Sequence, residues 1–234
     1  MKYYRLSYPN DVKEIGHNPQ VQKTIWDGRP YDEGAFGTQG LFNSFHNNPA
    51  IPSIEFYKSA KTTSMISINT IGINLYLIVD KTFLNFLIAN CEGIFQTWKI
   101  QAKKKDLNYN YYIFFIDNPK YDFINYKESV FRLYIKSNDR KWIKLDKTIK
   151  VISDEDCMDK YREYPSIGIE KPFFEAEKLI LDGNNCDFFR SSSPTIAGYY
   201  VSEKLKNEIE KQGFTGIRFQ ELNEINNFVE VETI

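Results

Sequence analysis

The chain has 234 residues, of which 42% are hydrophobic and 26% are charged, a composition that excludes a disordered or fibrous protein. Thirty Lys and Arg residues stand against 31 Asp and Glu residues, so the formal net charge is −1. A balanced charge creates no global field toward nucleic acid or an acidic membrane, and we expect neither as a partner.

The sequence also indicates a reduced compartment. Three cysteines without a C-x-x-C pair cannot close a fully paired set of disulfide bonds. The first seven residues carry charge and tyrosine where a secretory signal would carry an apolar run. The most apolar stretch, residues 71–79, falls well short of the roughly 20 residues of a membrane-spanning helix. We therefore expect a cytoplasmic protein.

The first 75 residues are predicted to form an N-terminal lobe rich in loops and strands. Tyr4, Leu6 and Tyr8 alternate with more polar residues, a period of two that predicts a strand ending at Pro9. Proline and glycine then recur over residues 9–53, which predicts a long ordered loop with short elements. Residues 76–234 are assigned to a second, α+β domain.

A unit of strand, helix cap, helix, glycine and strand opens this second part. The apolar residues 75–79 predict a strand, and Asp80 follows as the helix N-cap. Apolar residues then recur at helical spacing, Gly93 is predicted to stop the helix, and residues 94–100 resume an extended pattern. The aromatic and β-branched run at residues 111–116 predicts a central strand.

The same unit occurs again near the end of the sequence. Residues 199–201 predict a strand, Ser202 the N-cap, Gly213 the helix end and residues 216–219 the returning strand. Ser153 begins a further predicted helix over residues 153–163. Together the patterns predict an α+β fold with mixed or antiparallel sheets, about three helices and two lobes.

Metal and hydrolytic sites are weakly supported. His17 and His46 are the two histidines, and both lie in the proline-rich and glycine-rich region, distant in sequence from any cysteine. The sequence also lacks the H-E-x-x-H, G-x-S-x-G, G-x-G-x-x-G and P-loop motifs. We therefore expect neither a metal nor a cofactor.

One catalytic pattern has a partial fit. Arg5, Ser191 within a triple serine, and Glu232 in a Glu-x-Glu sequence follow the order of the arginine, serine and glutamate motifs of ADP-ribosyltransferases, which the chain resembles in this respect. That resemblance implies that Arg5 holds a dinucleotide phosphate, Ser191 braces the nicotinamide pocket and Glu232 stabilises the transition state. The alternative is an ordinary serine-rich loop and two solvated glutamates on one strand face.

Carboxylates gather on the helix predicted at residues 153–163. Such an acidic surface can steer association with a basic partner, whereas the competing interpretation is a solvated helix face. The predicted partner-binding residues are Asp154, Glu155, Asp156, Asp159 and Glu163.

Several short motifs occur together in a fixed order over roughly residues 50–220. They are PSI at 52–54, AKTT at 60–63, VDK at 79–81, YIF at 112–114, YDFINYKES at 121–129, DFFR at 187–190, VSEKL at 201–205 and GFTGIRF at 213–219. In this combination the chain resembles a family of polymorphic-toxin immunity proteins, formerly a domain of unknown function. Its most specific part is the C-terminal segment.

The resemblance implies a non-enzymatic inhibitor that binds a cognate protein toxin inside the producing cell. An interaction scaffold of another assembly would differ from it only in the partner. We expect the signature positions of the family to serve folding more than contact with the toxin. They comprise a helix cap, two glycines at turns, and polar groups that hydrogen-bond loops together. They are Asp122, Ser129, Arg190, Ser202, Gly213 and Gly216.

Overall fold

A computed structural model describes residues 2–26, 51–69, 76–116, 124–138, 141–164, 171–182, 186–191, 193, 195–221 and 230–233. The strands are β1 (Tyr3–Ser7), β2 (Val21–Ile25), β3 (Ser53–Phe56), β4 (Leu77–Val79), β5 (Phe95–Lys104), β6 (Leu107–Ile116), β7 (Val130–Lys136), β8 (Trp142–Ile149), β9 (Pro172–Leu181), β10 (Phe188–Ser191), β11 (Gly198–Ser202), β12 (Arg218–Glu221) and β13 (Glu230–Thr233). The helices are α1 (Val12–Ile15), α2 (Lys81–Ala89), α3 (Asp154–Glu163) and α4 (Glu203–Gln212).

The described strands form three sheets. Sheet A has the order β10-β11-β1-β12, and all its pairs are antiparallel. Sheet B has the order β2-β3-β5-β6-β4 and sheet C the order β13-β9-β7-β8; each contains one parallel pair, β3 with β5 and β13 with β9. This is the α+β architecture with mixed and antiparallel sheets that the sequence predicts.

Two of the sheets combine strands from both predicted lobes, residues 1–75 and 76–234. Strand β1 lies between β11 and β12, with Tyr4 opposite Val201 on one side and Glu221 on the other. In sheet B, β3 pairs with β5. Hydrogen-bonded strands thus join the two segments, and the division at residue 75 stays a prediction.

Sheet A lies between the other two sheets because both of its faces are apolar. Side chains alternate between the faces of a strand, so Tyr3 and Tyr4 of β1 point in opposite directions. The face with Tyr3 packs on sheet C and α3, where Phe131 and Phe174 are buried. The face with Tyr4 packs on α2, α4 and strands of sheet B. A further cluster of buried hydrophobic side chains lies on the other face of sheet B.

All three predicted helices are present, and each begins at the expected cap. Asp80, Ser153 and Ser202 accept hydrogen bonds from the backbone N–H three residues ahead, over 2.7, 3.2 and 3.2 Å. These acceptors satisfy amide groups that a helix start leaves open. Within the described ranges, none of the helices is long and apolar enough to cross a bilayer.

One local prediction about the helices was wrong, and one short helix was not anticipated. Asn90, not Gly93, is the C-cap of α2, and its side-chain amide donates to the carbonyl of Phe86 over 2.9 Å, which satisfies an open group of the last turn. A fourth helix, α1, adds to the three expected. Asp11 caps it by accepting from the backbone N–H of Lys13, but four residues are too few to show a helical period.

Candidate functional site

Ser202 joins the start of α4 to the loop before β10. Its buried Oγ accepts from the backbone N–H of Leu205 and donates to Asp187 Oδ1 over 2.5 Å. Asp187 also accepts from Lys204 Nζ at 2.6 Å. Hydrogen bonds from Lys204 and Ser202 hold the pKa of Asp187 below its ordinary value. The predicted cap is confirmed, and it belongs to a larger polar cluster.

Replacement of Ser202 by alanine is expected to lower the free energy of unfolding by about 0.5–2 kcal/mol, because the cap of α4 is lost. Urea unfolding followed by circular dichroism measures the change. Ser7→Ala is the matched control, since the Ser7 hydroxyl makes one surface hydrogen bond, to the carbonyl of Arg218. A loss for Ser202→Ala no larger than that of the control would contradict the capping role.

Arg190 connects sheet A to sheet B. Its side chain is only 3% exposed, and its Nε donates to the carbonyl of Ile116 over 3.0 Å. The guanidinium carbon lies 4.4 Å from the ring centroid of Phe115, a cation–π distance. Both partners lie in β6, so this side chain fixes the end of β10 against the neighbouring sheet.

Ser129 performs a similar function in sheet C. Its hydroxyl donates to the carbonyl of Asn125 over 2.7 Å and accepts from the backbone N–H of Ile180 over 3.0 Å. These bonds attach the turn before β7 to β9. Asp122, the further signature residue of this region, lies outside the described residues.

The two signature glycines both have positive φ angles but differ in surroundings. Gly213 is the left-handed C-cap of α4, as predicted, and its backbone N–H donates to Glu210. Gly216 is buried against residues 63–65, beside a hydrogen bond from the N–H of Met65 to the carbonyl of Thr215. The described signature residues therefore act at junctions between elements.

Two of the predicted acidic partner-binding residues have roles inside the fold. Asp154 accepts a short hydrogen bond from the Tyr126 hydroxyl. Burial and this hydrogen bond raise the pKa of Tyr126, which keeps the phenol neutral. Asp156 accepts from the backbone N–H of Ile152, the residue before the cap of α3, over 3.0 Å.

The other three acidic residues are exposed on α3. Asp159 pairs with Arg162 at 2.9 Å and Glu163 with Lys160 at 3.0 Å, so each lies beside a basic residue of the same helix. The hydrogen bonds from Tyr164 and Lys160 lower the pKa of Glu163. Glu155 is exposed in the first turn. The helix thus carries five carboxylates and two basic side chains, and three of the carboxylates are exposed.

A cleft of about 330 Å³ opens at one end of sheet A. The described residues that line it are Arg5, Leu6, Ser7, Tyr8, Tyr76, Leu77, Arg190, Ser191, Ala197, Gly198, Tyr199 and Gln220. The cleft forms because β1 and β10 both pair with β11. Both strands end near the first residues of β11. Arg5 of β1 and the neighbours Arg190 and Ser191 of β10 thereby line the same cleft.

The three residues of the ADP-ribosyltransferase pattern are only partly brought together. Arg5 and Ser191 line the same cleft. Glu232 lies on β13 in sheet C, opposite Ile180 of β9. The transferase interpretation stays a prediction.

Four further residues of the cleft were not predicted from the sequence to be site residues. They are Tyr8, Tyr76, Gly198 and Tyr199. The Tyr8 hydroxyl donates to the carbonyl of Tyr76, and the Tyr199 hydroxyl donates to that of Phe114. Gly198 allows the Arg5 side chain to lie directly against the backbone, because a Cβ there would be 2.7 Å from Arg5 Nε. Tyrosines are so frequent in this sequence that no signal marked these three.

Residues suited to metals or covalent catalysis are dispersed. Within the part of the chain that the structure describes, no three His, Cys, Asp or Glu side chains form a metal-binding group. His17 stacks on Tyr57 with ring centroids 3.6 Å apart, whereas His46 lies outside the described residues. Burial raises the pKa of the Cys157 thiol to about 12, so this cysteine is protonated at neutral pH.

Comparisons with known proteins leave the function to be argued from these residues. The sequence matches no protein-family model, and it matches no curated protein. The resemblance to polymorphic-toxin immunity proteins therefore stays a prediction.

Proposed function

We propose that this chain is a non-catalytic inhibitor that binds a cognate protein toxin and blocks it sterically. One observation supports the proposal most: the described signature side chains are used inside the fold. Ser129, Arg190 and Ser202 bond to backbone or neighbouring side chains, and Gly216 fits against a neighbouring segment. Motif residues of an enzyme would instead be expected to meet around a reacting substrate.

The docking surface that we propose is α3 with the residue just before it. Three exposed carboxylates, Glu155, Asp159 and Glu163, outnumber the two basic side chains of this helix, so its surface favours a basic partner. Ile152 lies beside the start of α3 and is 70% exposed, so association at this surface would cover an apolar side chain. A stable complex would bury at least about 1,000 Å² in total, more than the helix alone provides.

Co-expression with the product of the adjacent gene tests the proposal. We expect a stoichiometric complex on size-exclusion chromatography and loss of the toxin's activity in that complex. If the two proteins neither associate nor affect each other's activity, the proposed function is wrong.

Reversal of the Glu155 charge tests the docking surface. Glu155→Lys is expected to weaken toxin binding by about three- to tenfold, or ~1 kcal/mol, because an exposed charge at an interface contributes modestly. The affinity should also fall as salt rises, since ions screen the attraction. Isothermal titration calorimetry at two salt concentrations measures both effects.

Glu208→Lys is the matched control, because Glu208 is an exposed glutamate on a different helix, α4. It makes the same change in net charge away from the proposed surface. Equal weakening by both variants, or an affinity independent of salt, would remove α3 from the interface.

A further inference from the structure

We infer that the solvent-exposed part of sheet B is a binding surface for single-stranded nucleic acid. This surface is separate from the proposed toxin-docking helix α3, which packs on sheet C, and the inference does not rest on the proposed function. The balanced net charge of the chain led us to expect no such partner. That balance is an average over the whole chain, and it conceals a local excess of lysine.

The strand register of sheet B places a set of polar side chains on one face. In β5, Ile100 and Ala102 belong to the hydrophobic cluster that covers one side of the sheet. Side chains alternate along a strand, so Lys99, Gln101 and Lys103 lie on the other side. Together with the residues paired in register with them, they form what we call the basic face: Lys23, Glu55, Lys99, Gln101, Lys103, Asn108, Asn110 and Tyr112. Each of these side chains is exposed or partly exposed.

Four lysines give the basic face its positive charge. Three of them lie on β2 and β5, and Lys81 of α2 joins them, with its Nζ 5.0 Å from the ring centroid of Tyr112. Within the part of the chain that the structure describes, none of the four forms an ion pair. Glu55 on β3 and Asp80 at the rim offset part of the charge, although Asp80 is engaged as the cap of α2. A phosphate chain would add the missing counter-charges.

The arrangement of the lysines suits a single strand. Lys99 and Lys103 are four residues apart on β5, so they are separated by roughly 13 Å along the sheet. A lysine ammonium is a compact charge on a flexible stem, and it binds phosphates without a fixed geometry. An open sheet face cannot enter the groove of a duplex, which admits a helix or a two-stranded ribbon. A single strand can instead lie across the face.

The uncharged side chains of the basic face favour nucleic acid over an acidic protein. The amides of Gln101, Asn108 and Asn110 offer donors and acceptors for sugar and base edges. Protein interfaces have an apolar core and are depleted in lysine, whereas nucleic-acid interfaces are polar and positively charged. Among the described residues on this side of sheet B, Ile25 at the edge strand is the exposed large apolar residue.

Fluorescence anisotropy of a labelled single-stranded oligonucleotide, titrated with the full chain, tests the inference. A strand of mixed sequence and roughly 12 nucleotides is long enough to cross the face. We expect a dissociation constant of about 1–100 μM at about 50 mM salt, the range of binding without sequence preference. The logarithm of the association constant should fall with the logarithm of the salt concentration with a slope of about −2 to −3, because three or four phosphates release their counterions.

Lys99→Gln and Lys103→Gln should each weaken binding about three- to fivefold and make the salt slope shallower by about 0.7, the share of one phosphate contact. Lys147→Gln is the matched control, since Lys147 is an exposed lysine on β8 of sheet C. It removes the same charge away from the basic face and should leave affinity and slope unchanged. Melting temperatures verify that each variant is folded.

Three results would overturn the inference. The first is no binding of the oligonucleotide by the unmodified chain at about 1 mM, about ten times the weak end of the non-specific range. The second is equal affinity in the Lys99→Gln and Lys147→Gln variants. The third is tighter binding of an oligoglutamate peptide than of the oligonucleotide, which would identify the basic face as a site for an acidic protein segment.

Discussion

Replacement of Gly216 by alanine is expected to lower the free energy of unfolding by about 2–5 kcal/mol, the sum of backbone strain and overpacking. The residue has a φ angle of +75°, and an added Cβ would overlap the carbonyl oxygen of Met65 and lie 2.5 Å from Thr63 Oγ1. Neither neighbour can move easily. Thr63 is buried, accepts from Gln20 Nε2 over 2.8 Å and donates to Met65 O over 2.7 Å.

Gly213→Ala is a closely matched control for this variant. Gly213 has a φ angle of +73°, but an added Cβ would meet no atom within 4 Å. Its expected cost is therefore the conformational term alone, about 1–2 kcal/mol. Urea denaturation of both variants measures the difference. Equal losses would mean that the contact of Gly216 with residues 63–65 contributes nothing to stability.

Truncation of Phe114 to alanine is expected to cost about 3–5 kcal/mol, since it leaves a cavity in a fully buried site. Phe114 is 0% exposed and lies on β6 where sheet B meets sheet A. Its ring centroid is 5.9 Å from that of Phe95 and 5.8 Å from that of Phe188 in sheet A. The cavity would therefore loosen the junction between two sheets.

Two variants control for cavity size and position. Phe114→Leu keeps most of the volume and should cost less than about 2 kcal/mol. Phe95→Ala removes the same side chain from a half-buried position and should cost clearly less than Phe114→Ala. Thermal and urea unfolding measure all three. If the two alanine variants were equally destabilised, burial of Phe114 between the sheets would not be the cause.

Helices were more predictable than sheets in this sequence because their signals are local. Asp80, Ser153 and Ser202 each precede a helical period, and each is the observed cap. In most strands of sheet C, the sequence contains no local pattern of this kind. Strand β8 is an edge strand with mostly exposed side chains, and its apolar residues are mixed with lysines, so no clear alternation of polar and apolar residues marks it.

The cleft depends on strand pairing that no local pattern encodes. Arg5 lies opposite Tyr200, and Arg190 lies opposite the preceding residue, Tyr199. Both arginines were selected from the sequence for unrelated reasons, one for a catalytic order and one for a family motif. Both line one cleft because β1, from the start of the chain, and β10 each pair with β11, and only the folded structure provides that register.

The central position of β1 also has a consequence for synthesis of the protein. Its two partners, β11 and β12, leave the ribosome long after β1, because translation proceeds from the N-terminus and all the other described strands except β13 lie between. Until then, the apolar side chains Tyr3, Tyr4 and Leu6 have no sheet in which to pack. Closing so long a loop is entropically costly and slow. Chaperone protection of the nascent chain therefore matters most before β11 and β12 have been synthesised.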